Sequence, residues 1–431
     1  MLRLDSRSPD FSAAFERFLS ARREPEADVR ESVATTVADV RARGDAALID
    51  YTHRFDRLDL TAERLRIAPA EIDEAERATA PDVRAALALA ARRIETFHRR
   101  QLPEGFVERD ELGVERGLVW HAIEAVGLYV PGGTAAYPSS VLMNAIPAKA
   151  AGCRRIVMVA PTPDGVLRPE VLAAARLAGI DEIYCIGGAQ AVAALAYGTA
   201  SITPVDLIVG PGNAYVAEAK RQVFGQVGID MIAGPSEILI VADAAQDPDW
   251  IAADLLSQAE HDTSAQSILI TDTPALADGV AAAVDRQLAV LPRAAIAGPS
   301  WRDWGAVILV ADLEEAVALV DRIAPEHLEL MVEAPEALAG RIRNAGAIFL
   351  GAHTPEVIGD YVGGPNHVLP TGRSARFASG LSVFDFLRRT TLLRCPPEAL
   401  TTLGPAAATL ARAEGLEGHA RAVELRARRA G

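Results

Sequence analysis

The sequence predicts an α/β fold, in which parallel β-sheets alternate with helices and smaller helical segments lie at both ends of the chain. From about residue 127 to 235, apolar runs such as "RIVMVAP" and "DLIVGPGN" end in Gly or Pro and alternate with segments of helical periodicity such as "PEVLAAARLAG". The same alternation repeats from "EILIVAD" to "AIFLG", which indicates a second unit of similar architecture, although no fixed-period repeat proves a duplication.

The other elements follow in chain order. Residues 1 to about 100 have apolar positions at three- and four-residue spacing, as in "DVRAALALAARRIETFHRRQ", which predicts helices. A hairpin-like piece then turns at Leu112-Gly113. The tail from about residue 381 is expected to form two or three helices broken by Pro396-Pro397 and Gly404-Pro405. Helical appendages of this kind often reach onto a neighbouring subunit.

Length, charge and cysteine usage restrict the class of protein. A chain of 431 residues is too long for one core, and its net charge of −15 argues against binding to nucleic acid or to an anionic membrane. No apolar run reaches 18 residues, so the sequence predicts a soluble, cytoplasmic protein. The three cysteines stand far apart, which excludes a CxxC metal motif and favours a reducing compartment. With only Lys149 and Lys220 as lysines, there is no GxxxxGK[ST] phosphate loop.

Glycine-rich loops are the first candidates for a binding site. Open parallel sheets bind ligands at the carboxyl ends of their strands. Four such loops are "GLYVPGGT" (127–134), "GGAQA" (187–191), "GPGNAY" (210–215) and "AGPSE" (233–237). Their backbone N–H groups could approach a phosphate or a nicotinamide amide. The GxGxxG fingerprint is absent, however, so these loops taken alone favour tight structural turns over cofactor binding.

Polar clusters supply candidate metal ligands and proton-transfer groups. In "SQAEHD", Gln258 and His261 are three residues apart and share a face if the helix continues that far. Each cluster taken alone also fits a solvated helix end or loop. The clusters are "SQAEHD" (257–262), "PEHLEL" with Glu326 and His327, "GDYVGGPNHVLPTG" with Asp360 and His367, and "EGLEGHARAV" with Glu414 and His419. The long irregular loop around Asp360 favours function, because functional residues concentrate on such loops.

Taken together and in this order, these strings resemble the histidinol dehydrogenase family. The strings are "LYVPGG", "GGAQAVAALAYGT", "VGPGNAYVAEAK", "AGPSEILI", "DLLSQAEHD", "APEHLEL", "GDYVGGPNHVLPT" and "EGLEGHARAV", and the resemblance covers about residues 30 to 425. It implies a zinc-dependent oxidation of L-histidinol through L-histidinaldehyde to L-histidine with two NAD⁺, at the end of histidine biosynthesis. It also implies a homodimer with shared active sites.

The resemblance assigns roles to individual residues. One Zn²⁺ per subunit is held by Gln258, His261, Asp360 and, from the partner subunit, His419. Glu326 and His327 match the acid/base pair. The positions matching substrate contacts are Ser236, Gln258, His261, His327, Asp360, Glu414 and His419. The positions matching NAD contacts are Tyr129, Gln190 and Asn213, while His367 is expected to line the pocket. Glu260 and Asp262 match no functional position and are expected to be solvated at a helix end.

These assignments give a domain division. The expected domains are an N-terminal helical segment (1–25), a discontinuous Rossmann-like domain with the metal and acid/base residues (26–126 and 236–380), a second Rossmann-like domain that binds NAD (127–235), and a C-terminal helical appendage that reaches the partner subunit (381–431). Both Rossmann-like domains are expected to be incomplete.

The expected chemistry assigns one step to each member of the acid/base pair. His327 would take the hydroxyl proton, since a histidine with a pKa near neutrality suits that role, and Glu326 would activate the water that adds to the aldehyde. Adjacent strand residues point to opposite faces, so both can face one pocket only if Pro325 keeps them in an irregular loop. Two other readings are a zinc hydrolase on an α/β scaffold and a non-catalytic metal or nucleotide-binding module.

Overall fold

A computed structural model describes residues 1–21, 29–132, 137–180, 182–232 and 234–430. The strands are β1 Leu2–Asp5, β2 Phe106–Arg109, β3 Glu115–Ala122, β4 Ala125–Tyr129, β5 Arg155–Val159, β6 Glu182–Tyr184, β7 Leu207–Val209, β8 Gly228–Ile229, β9 Glu237–Ala242, β10 Gln266–Thr271, β11 Ala306–Leu309, β12 His327–Met331, β13 Ala347–Leu350 and β14 Leu387–Arg394. Two predicted loops are described only in part, because Gly133, Thr134 and Ala233 lie outside the described residues.

Helices connect and flank these strands. They are α1 Phe11–Ser20, α2 Arg30–Arg43, α3 Asp45–Asp56, α4 Pro69–Ala78, α5 Pro81–Arg99, α6 Pro138–Ala151, α7 Pro169–Ala178, α8 Gly188–Tyr197, α9 Ala214–Val223, α10 Pro248–Ala259, α11 Pro274–Leu288, α12 Ala294–Trp304, α13 Leu313–Ile323, α14 Pro335–Ala339, α15 Glu356–Ile358, α16 Pro397–Ala413 and α17 Glu417–Ala430. In the part of the chain that the structure describes, none of these helices is long and apolar enough to span a membrane.

Two parallel sheets form the centre of the fold, as predicted. One has the order β1-β11-β10-β9-β12-β13 and the other the order β6-β5-β4-β7-β8. In each sheet the first strand of the α/β unit lies in the middle: β9 in the six-stranded sheet and β4 in the five-stranded sheet. The next two strands lie on one side of it, and the last two strands of the unit lie on the other side. The central strands β4, β9 and β10 are buried along their whole length because helices cover both faces of the sheets.

A third, antiparallel sheet was only partly predicted. The turn at Leu112-Gly113 joins β2 to β3, with Gly113 at a φ of 81° that suits glycine. The third strand is β14, which pairs with the full length of β3. The tail was expected to be purely helical, and this expectation is wrong for Leu387–Arg394. This strand, "LRRTTLLR", is mostly exposed, and it gains its order from pairing with β3 and not from a buried face of its own.

The C-terminal helices form an antiparallel hairpin. The predicted break at Gly404-Pro405 does not occur, since α16 continues through both residues. Gly404 lets α16 approach α17 closely, because a Cβ there would lie 3.0 Å from Cγ1 of Val423. Packing against α17 therefore outweighs the lost hydrogen bond at Pro405.

The N-terminal region contributes to both parallel sheets. Leu2–Asp5, expected within a helical segment, forms an edge strand of the six-stranded sheet. Helices α2 and α3 bury Val33, Val37 and Leu48 against the core of the five-stranded sheet. The domain division remains a proposal, and this packing favours placing residues 29–56 with the five-stranded sheet and not with residues 236–380.

Candidate active site

Four separate elements bring acidic, amide and imidazole side chains to one edge of the six-stranded sheet. Glu237 begins β9, His327 begins the neighbouring strand β12, and Gln258 lies in the last turn of α10. Asp360 lies in a π-helical turn that follows α15. This is the amino edge of the sheet, whereas a binding site was expected first at the carboxyl ends of the strands. The site lies here because α10 runs antiparallel to β9 and delivers its C-terminal end to the start of that strand.

His327 is the buried centre of this cluster. Its Nδ1 lies 3.0 Å from the carbonyl oxygen of Glu237 and its Nε2 lies 3.4 Å from Oδ1 of Asp360. Burial opposes a positive charge on the ring, but the carboxylates of Glu356, Glu326 and Asp360 outweigh it and raise the pKa of His327 well above its ordinary value. Nε2 has no hydrogen-bond partner among the described residues, although it is buried. A buried nitrogen without a partner is costly, so this atom is suited to a ligand.

Glu326 lies on the same side of the backbone as His327. Its Oε2 is 3.7 Å from Nδ1 of His327, so the two adjacent side chains do face one pocket. The predicted irregular backbone before β12 is present at Ala324, whose φ is 48°. Burial is the main reason that the pKa of Glu326 rises to about 7.

Gln258 is fully buried and is oriented by a carboxylate that the sequence analysis missed. In the orientation that satisfies its hydrogen bonds, the amide nitrogen of Gln258 lies 3.0 and 3.2 Å from the two oxygens of Glu356. Burial raises the pKa of Glu356 to about 8. The signal was available in the sequence, since Glu356 stands four residues before Asp360 and a helical turn places that pair on one side.

Asp360 and two further histidines complete this part of the site. Burial alone would raise the pKa of Asp360, but the neighbouring imidazoles of His327, His367 and His261 lower it. His367 lies 2.9 Å through Nδ1 from the carbonyl of Asp360 and 3.3 Å through Nε2 from the hydroxyl of Ser140 on α6. This pair of contacts joins the six-stranded unit to a helix of the five-stranded unit.

His261 lies one turn beyond the end of α10. Its backbone N–H donates to the carbonyl of Gln258 at 3.2 Å, so the turn continues although the helix has ended. Desolvation by nearby protein atoms lowers the pKa of His261, and Asp360 opposes this effect. The side chain is nevertheless largely open to solvent. Asp262, by contrast, caps the next turn by accepting from the N–H and hydroxyl of Ser264 at 2.9 and 2.6 Å, which fits the expected helix-end role.

The cluster has the composition of a metal site. His327, Glu356 and Asp360 offer ligand atoms that all lie within 4.8 Å of one another, in the part of the chain that the structure describes. This trio differs from the predicted ligand set, which shares only Asp360 with it. Gln258 supplies a further oxygen beside the trio, because its amide nitrogen is held by Glu356.

The candidate cofactor residues lie at the carboxyl edge of the five-stranded sheet. The hydroxyl of Tyr129, at the end of β4, accepts from the N–H of Gly188 at 3.0 Å, and Gln190 is buried one turn into α8. The side-chain oxygen of Asn213 caps α9 by accepting from the N–H groups of Tyr215 and Val216 at 3.1 and 3.2 Å. The cap leaves the amide nitrogen of Asn213 for a ligand. All three residues lie near the strand-order switch point between β4 and β7, where open sheets bind ligands.

A buried ion pair supports the loop that precedes Asn213. A Cβ on Gly210 would lie 2.1 Å from the carbonyl of Tyr129, so only glycine allows this approach of the two strand ends. Asp230 accepts from the N–H of Gly210 at 2.8 Å and pairs with Lys220, whose Nζ also donates to the Gly210 carbonyl at 3.1 Å. Both charged side chains are almost completely buried.

Three predicted substrate residues lie outside this cluster or at its border. Ser236 directly precedes Glu237, and its carbonyl accepts from the N–H of Gln266 at 2.9 Å. Glu414 and His419 are exposed on the hairpin of α16 and α17, where they line a groove of about 710 Å³. The largest electrostatic effects on Asp360 and His261 come from other residues. The structure of one chain therefore brings together Gln258, His261, Glu326, His327 and Asp360 but not Glu414 and His419.

Known proteins resemble the chain over almost its whole length. The family model described as histidinol dehydrogenase matches residues 19–427. A histidinol dehydrogenase of Rhodospirillum rubrum is 64% identical over 429 residues, covering 99% of both chains, and one of Nitrobacter winogradskyi is 65% identical over 425 residues, also covering 99% of both. A crystal structure of histidinol dehydrogenase from Elizabethkingia anophelis has a TM-score of 0.94 and 36% identity, covering 99% of this chain and 98% of the other.

Proposed function

The chain belongs to the histidinol dehydrogenase family of NAD-dependent oxidoreductases in histidine biosynthesis, and from this premise we propose how its residues carry out the reaction. L-histidinol is oxidised through L-histidinaldehyde to L-histidine with two NAD⁺ and one water, at a zinc site that two subunits share. The observation that carries this proposal is the position of His327: within the described residues its Nε2 makes no hydrogen bond, it lies 3.4 Å from Oδ1 of Asp360, and Glu326 lies on the Nδ1 side of the ring. An acid/base pair beside metal-binding side chains is what this oxidation requires.

The donor set fits zinc. Gln258, His261 and Asp360 would hold the ion together with His419 of the partner subunit, which gives the nitrogen and oxygen ligands that Zn²⁺ accepts. We assign Gln258 and His261, and not His327 and Glu356, because this is the ligand set that the family resemblance implies, because His327 needs an uncoordinated Nε2 to act as the base, and because Glu356 is held by the Gln258 amide. When bound, zinc acts as a Lewis acid that orients the amine and imidazole of the substrate.

His327 in its neutral form is the base that takes the hydroxyl proton, and the carboxylates that raise its pKa stabilise the imidazolium that results. With its Nδ1–H donating to the carbonyl of Glu237, its Nε2 is the nitrogen that faces the reacting alcohol. Tyr129, Gln190 and Asn213 would hold NAD⁺, which would supply the hydride acceptor for both the alcohol and the aldehyde-hydrate oxidation. The contact of His367 with Ser140 places the loop of Asp360 against the unit that carries these cofactor residues.

Glu326 activates the water of the second oxidation. A carboxyl whose pKa is about 7 is partly deprotonated at neutral pH and can take a proton from water as it adds to the aldehyde carbon. His327 would then take the remaining hydroxyl proton of the hydrate as the C–H hydrogen leaves as a hydride to NAD⁺, so that the product is the carboxylate of histidine.

A cysteine nucleophile is not available for an alternative route through a thioester. Burial raises the pKa of Cys153 to about 12 and that of Cys185 to about 11, so both thiols are protonated and unreactive at neutral pH. Cys395 is exposed, but it lies in the tail between β14 and α16. Water addition assisted by Glu326 is therefore the route that the side chains support.

The exposed position of the α16–α17 hairpin supports the proposed homodimer. Glu414 and His419 are exposed on one side of α16 and α17, together with the apolar side chains of Leu410 and Leu416. A second copy of the chain that places this hairpin over His261 would cover its open side and complete the ligand set. Such exchange of one element between identical subunits is a common dimer arrangement.

A zinc hydrolase is the remaining alternative, since a metal beside a glutamate also suits water activation. The distinguishing experiment follows absorbance at 340 nm with L-histidinol and NAD⁺. We expect two NADH per histidinol consumed, loss of activity on chelation, and recovery with zinc. No NADH production by zinc-loaded protein would overturn the proposed reaction.

A further inference from the structure

Glu237 is a buried carboxylate that contacts both members of the acid/base pair. It begins β9, directly after Ser236, and only 3% of its surface is exposed. Its backbone N–H donates to Oε2 of Glu326 at 2.9 Å, and its backbone carbonyl lies 3.0 Å from Nδ1 of His327. The side chain of Glu326 and the ring of His327 are thus both held by the backbone of this one residue.

The side-chain carboxylate of Glu237 accepts two further hydrogen bonds in the same region. Its Oε2 accepts from the backbone N–H of Glu326 at 3.3 Å and its Oε1 accepts from the N–H of Gly372 at 2.9 Å. Gly372 follows Thr371, whose hydroxyl oxygen accepts from the N–H of Gly234 at 2.6 Å, just ahead of Ser236. The side chain therefore ties the start of β12 to the loop that flanks the candidate substrate residue Ser236.

The two glutamates form a reciprocal pair between neighbouring parallel strands. Each carboxylate accepts from the backbone N–H of the other residue. Parallel strand pairing alone would leave these first N–H groups to solvent or to turns, and an apolar residue at the start of β9 would suffice for packing. A buried carboxylate is expensive unless donors satisfy it, and the carboxylate of Glu237 accepts from the N–H groups of Glu326 and Gly372 while its backbone contacts Glu326 and His327.

The fixed hydrogen bond to His327 has a chemical consequence. A neutral imidazole carries one proton, and the nitrogen that bears it is set by the partner of that nitrogen. The carbonyl of Glu237 can only accept, so it selects the form with the proton on Nδ1 and leaves Nε2 as the basic atom. The amide nitrogen of Gln258 also lies 3.3 Å from Nδ1, but its two hydrogens can be donated to the two oxygens of Glu356 at 3.0 and 3.2 Å. The carboxylate of Glu237 fixes the backbone that sets the ring position.

We propose that Glu237 is a positioning residue of the reaction, which aligns Glu326 for water activation and holds His327 with Nε2 directed at the substrate. This inference rests on the proposed function, since it assumes the acid/base roles of Glu326 and His327. It adds a residue whose side chain touches neither substrate nor metal and acts only through its neighbours.

The test is E237Q, compared with wild type and with E218Q. Glutamine has the shape of glutamate but turns one acceptor into a donor, which would face the N–H of Glu326 or Gly372. Glu218 is an equally buried glutamate on α9 whose carboxylate is bound by the side chains of Arg221 and Gln222. The measurements are kcat and KM for histidinol and for added histidinaldehyde, zinc per subunit, and Tm.

We expect E237Q to lower kcat of both oxidations by about 10- to 100-fold, as for other residues that orient reacting groups, with KM and zinc content unchanged. E218Q should keep the wild-type kcat. A wild-type kcat in E237Q with a lowered Tm would show that Glu237 is merely structural and would overturn the proposal, as would a loss of kcat in proportion to lost zinc. If E237Q gives no folded protein, E237D, which keeps two acceptors on a shorter arm, is judged by the same criteria. A wild-type enzyme that makes no NADH from histidinol would instead contradict the proposed function itself.

Discussion

The carboxylate of Glu326 accepts from the backbone N–H of Glu237 at 2.9 Å, and the carboxylate of Glu237 accepts in return from the backbone N–H of Glu326 at 3.3 Å. This reciprocal pair joins the starts of β9 and β12 at the amino edge of the six-stranded sheet. It places Glu326 and His327, adjacent in sequence, on the same side of the backbone. The predictions that follow concern the acid/base pair, the metal ligands and the cofactor loop.

The first prediction separates the two oxidations. E326Q removes the base that activates water but leaves His327 in place, so the aldehyde oxidation should fall by about 10²–10⁴-fold while the alcohol oxidation changes less. Single-turnover rates with histidinol and with added histidinaldehyde measure the two steps. An aldehyde step as fast in E326Q as in wild type would show that Glu326 does not activate water.

The second prediction concerns pH. Burial raises the pKa of Glu326 to about 7, and a carboxyl acts as a base only when it is deprotonated. The rate of aldehyde oxidation at saturating substrates should therefore fall as the pH decreases through about 7. The residual rate of E326Q should not show this fall with decreasing pH. A wild-type rate that is constant across neutral pH would contradict the assigned role.

The third prediction concerns the orientation of Gln258. Glu356 holds the amide nitrogen of Gln258 at 3.0 and 3.2 Å, which directs the amide oxygen away from Glu356 and toward the ion. E356Q should weaken zinc binding by about 10- to 100-fold, because it removes this constraint. Competition with a chelator measures the affinity, and the exposed Glu333 provides the control variant E333Q. Equal zinc affinity in E356Q and wild type would exclude an orienting role.

The fourth prediction concerns the cofactor loop. K220M leaves Asp230 buried without its cation, which should cost about 3–5 kcal/mol of unfolding free energy and raise KM for NAD⁺, because Lys220 also binds the Gly210 carbonyl. Denaturant unfolding and initial rates measure both effects. Lys149, the only other lysine, is exposed, so K149M should behave like wild type. Unchanged stability and KM in K220M would show that the ion pair neither stabilises the fold nor supports the cofactor loop.

Much of the fold could be predicted from local sequence pattern. The apolar runs that end in Gly or Pro are strands of the two parallel sheets, because burial on both faces requires uninterrupted apolar residues. The pattern failed where order depends on distant partners. β14 has no apolar face of its own and forms by pairing with β3, and α16 continues through Pro405 because it packs on α17.

The sequence predicted some residues of the candidate site and missed others. Gln258, Asp360, Glu326 and His327 were found because chemistry-bearing residues stood in short clusters that resemble a known family. Glu237 lies in "AGPSE", but the sequence predicts no role for it. Its position beside Glu326 and His327 depends on the pairing of β9 with β12, which a short stretch of sequence does not reveal. Glu356 was missed for a similar reason, because its partner Gln258 lies on another element.

The shared site is the central claim, and subunit complementation tests it most directly. H419N lacks a ligand that we place in the partner's site, and E326Q lacks a base in its own site, so each homodimer should be nearly inactive. Unfolding and refolding an equal mixture makes about half of the dimers mixed, and one site in each mixed dimer has both wild-type residues. We predict recovery of about one quarter of the wild-type activity after remixing. If His419 acted in its own subunit, no site in any mixed dimer would be complete, and an activity that stayed at the level of the separate variants would contradict the account.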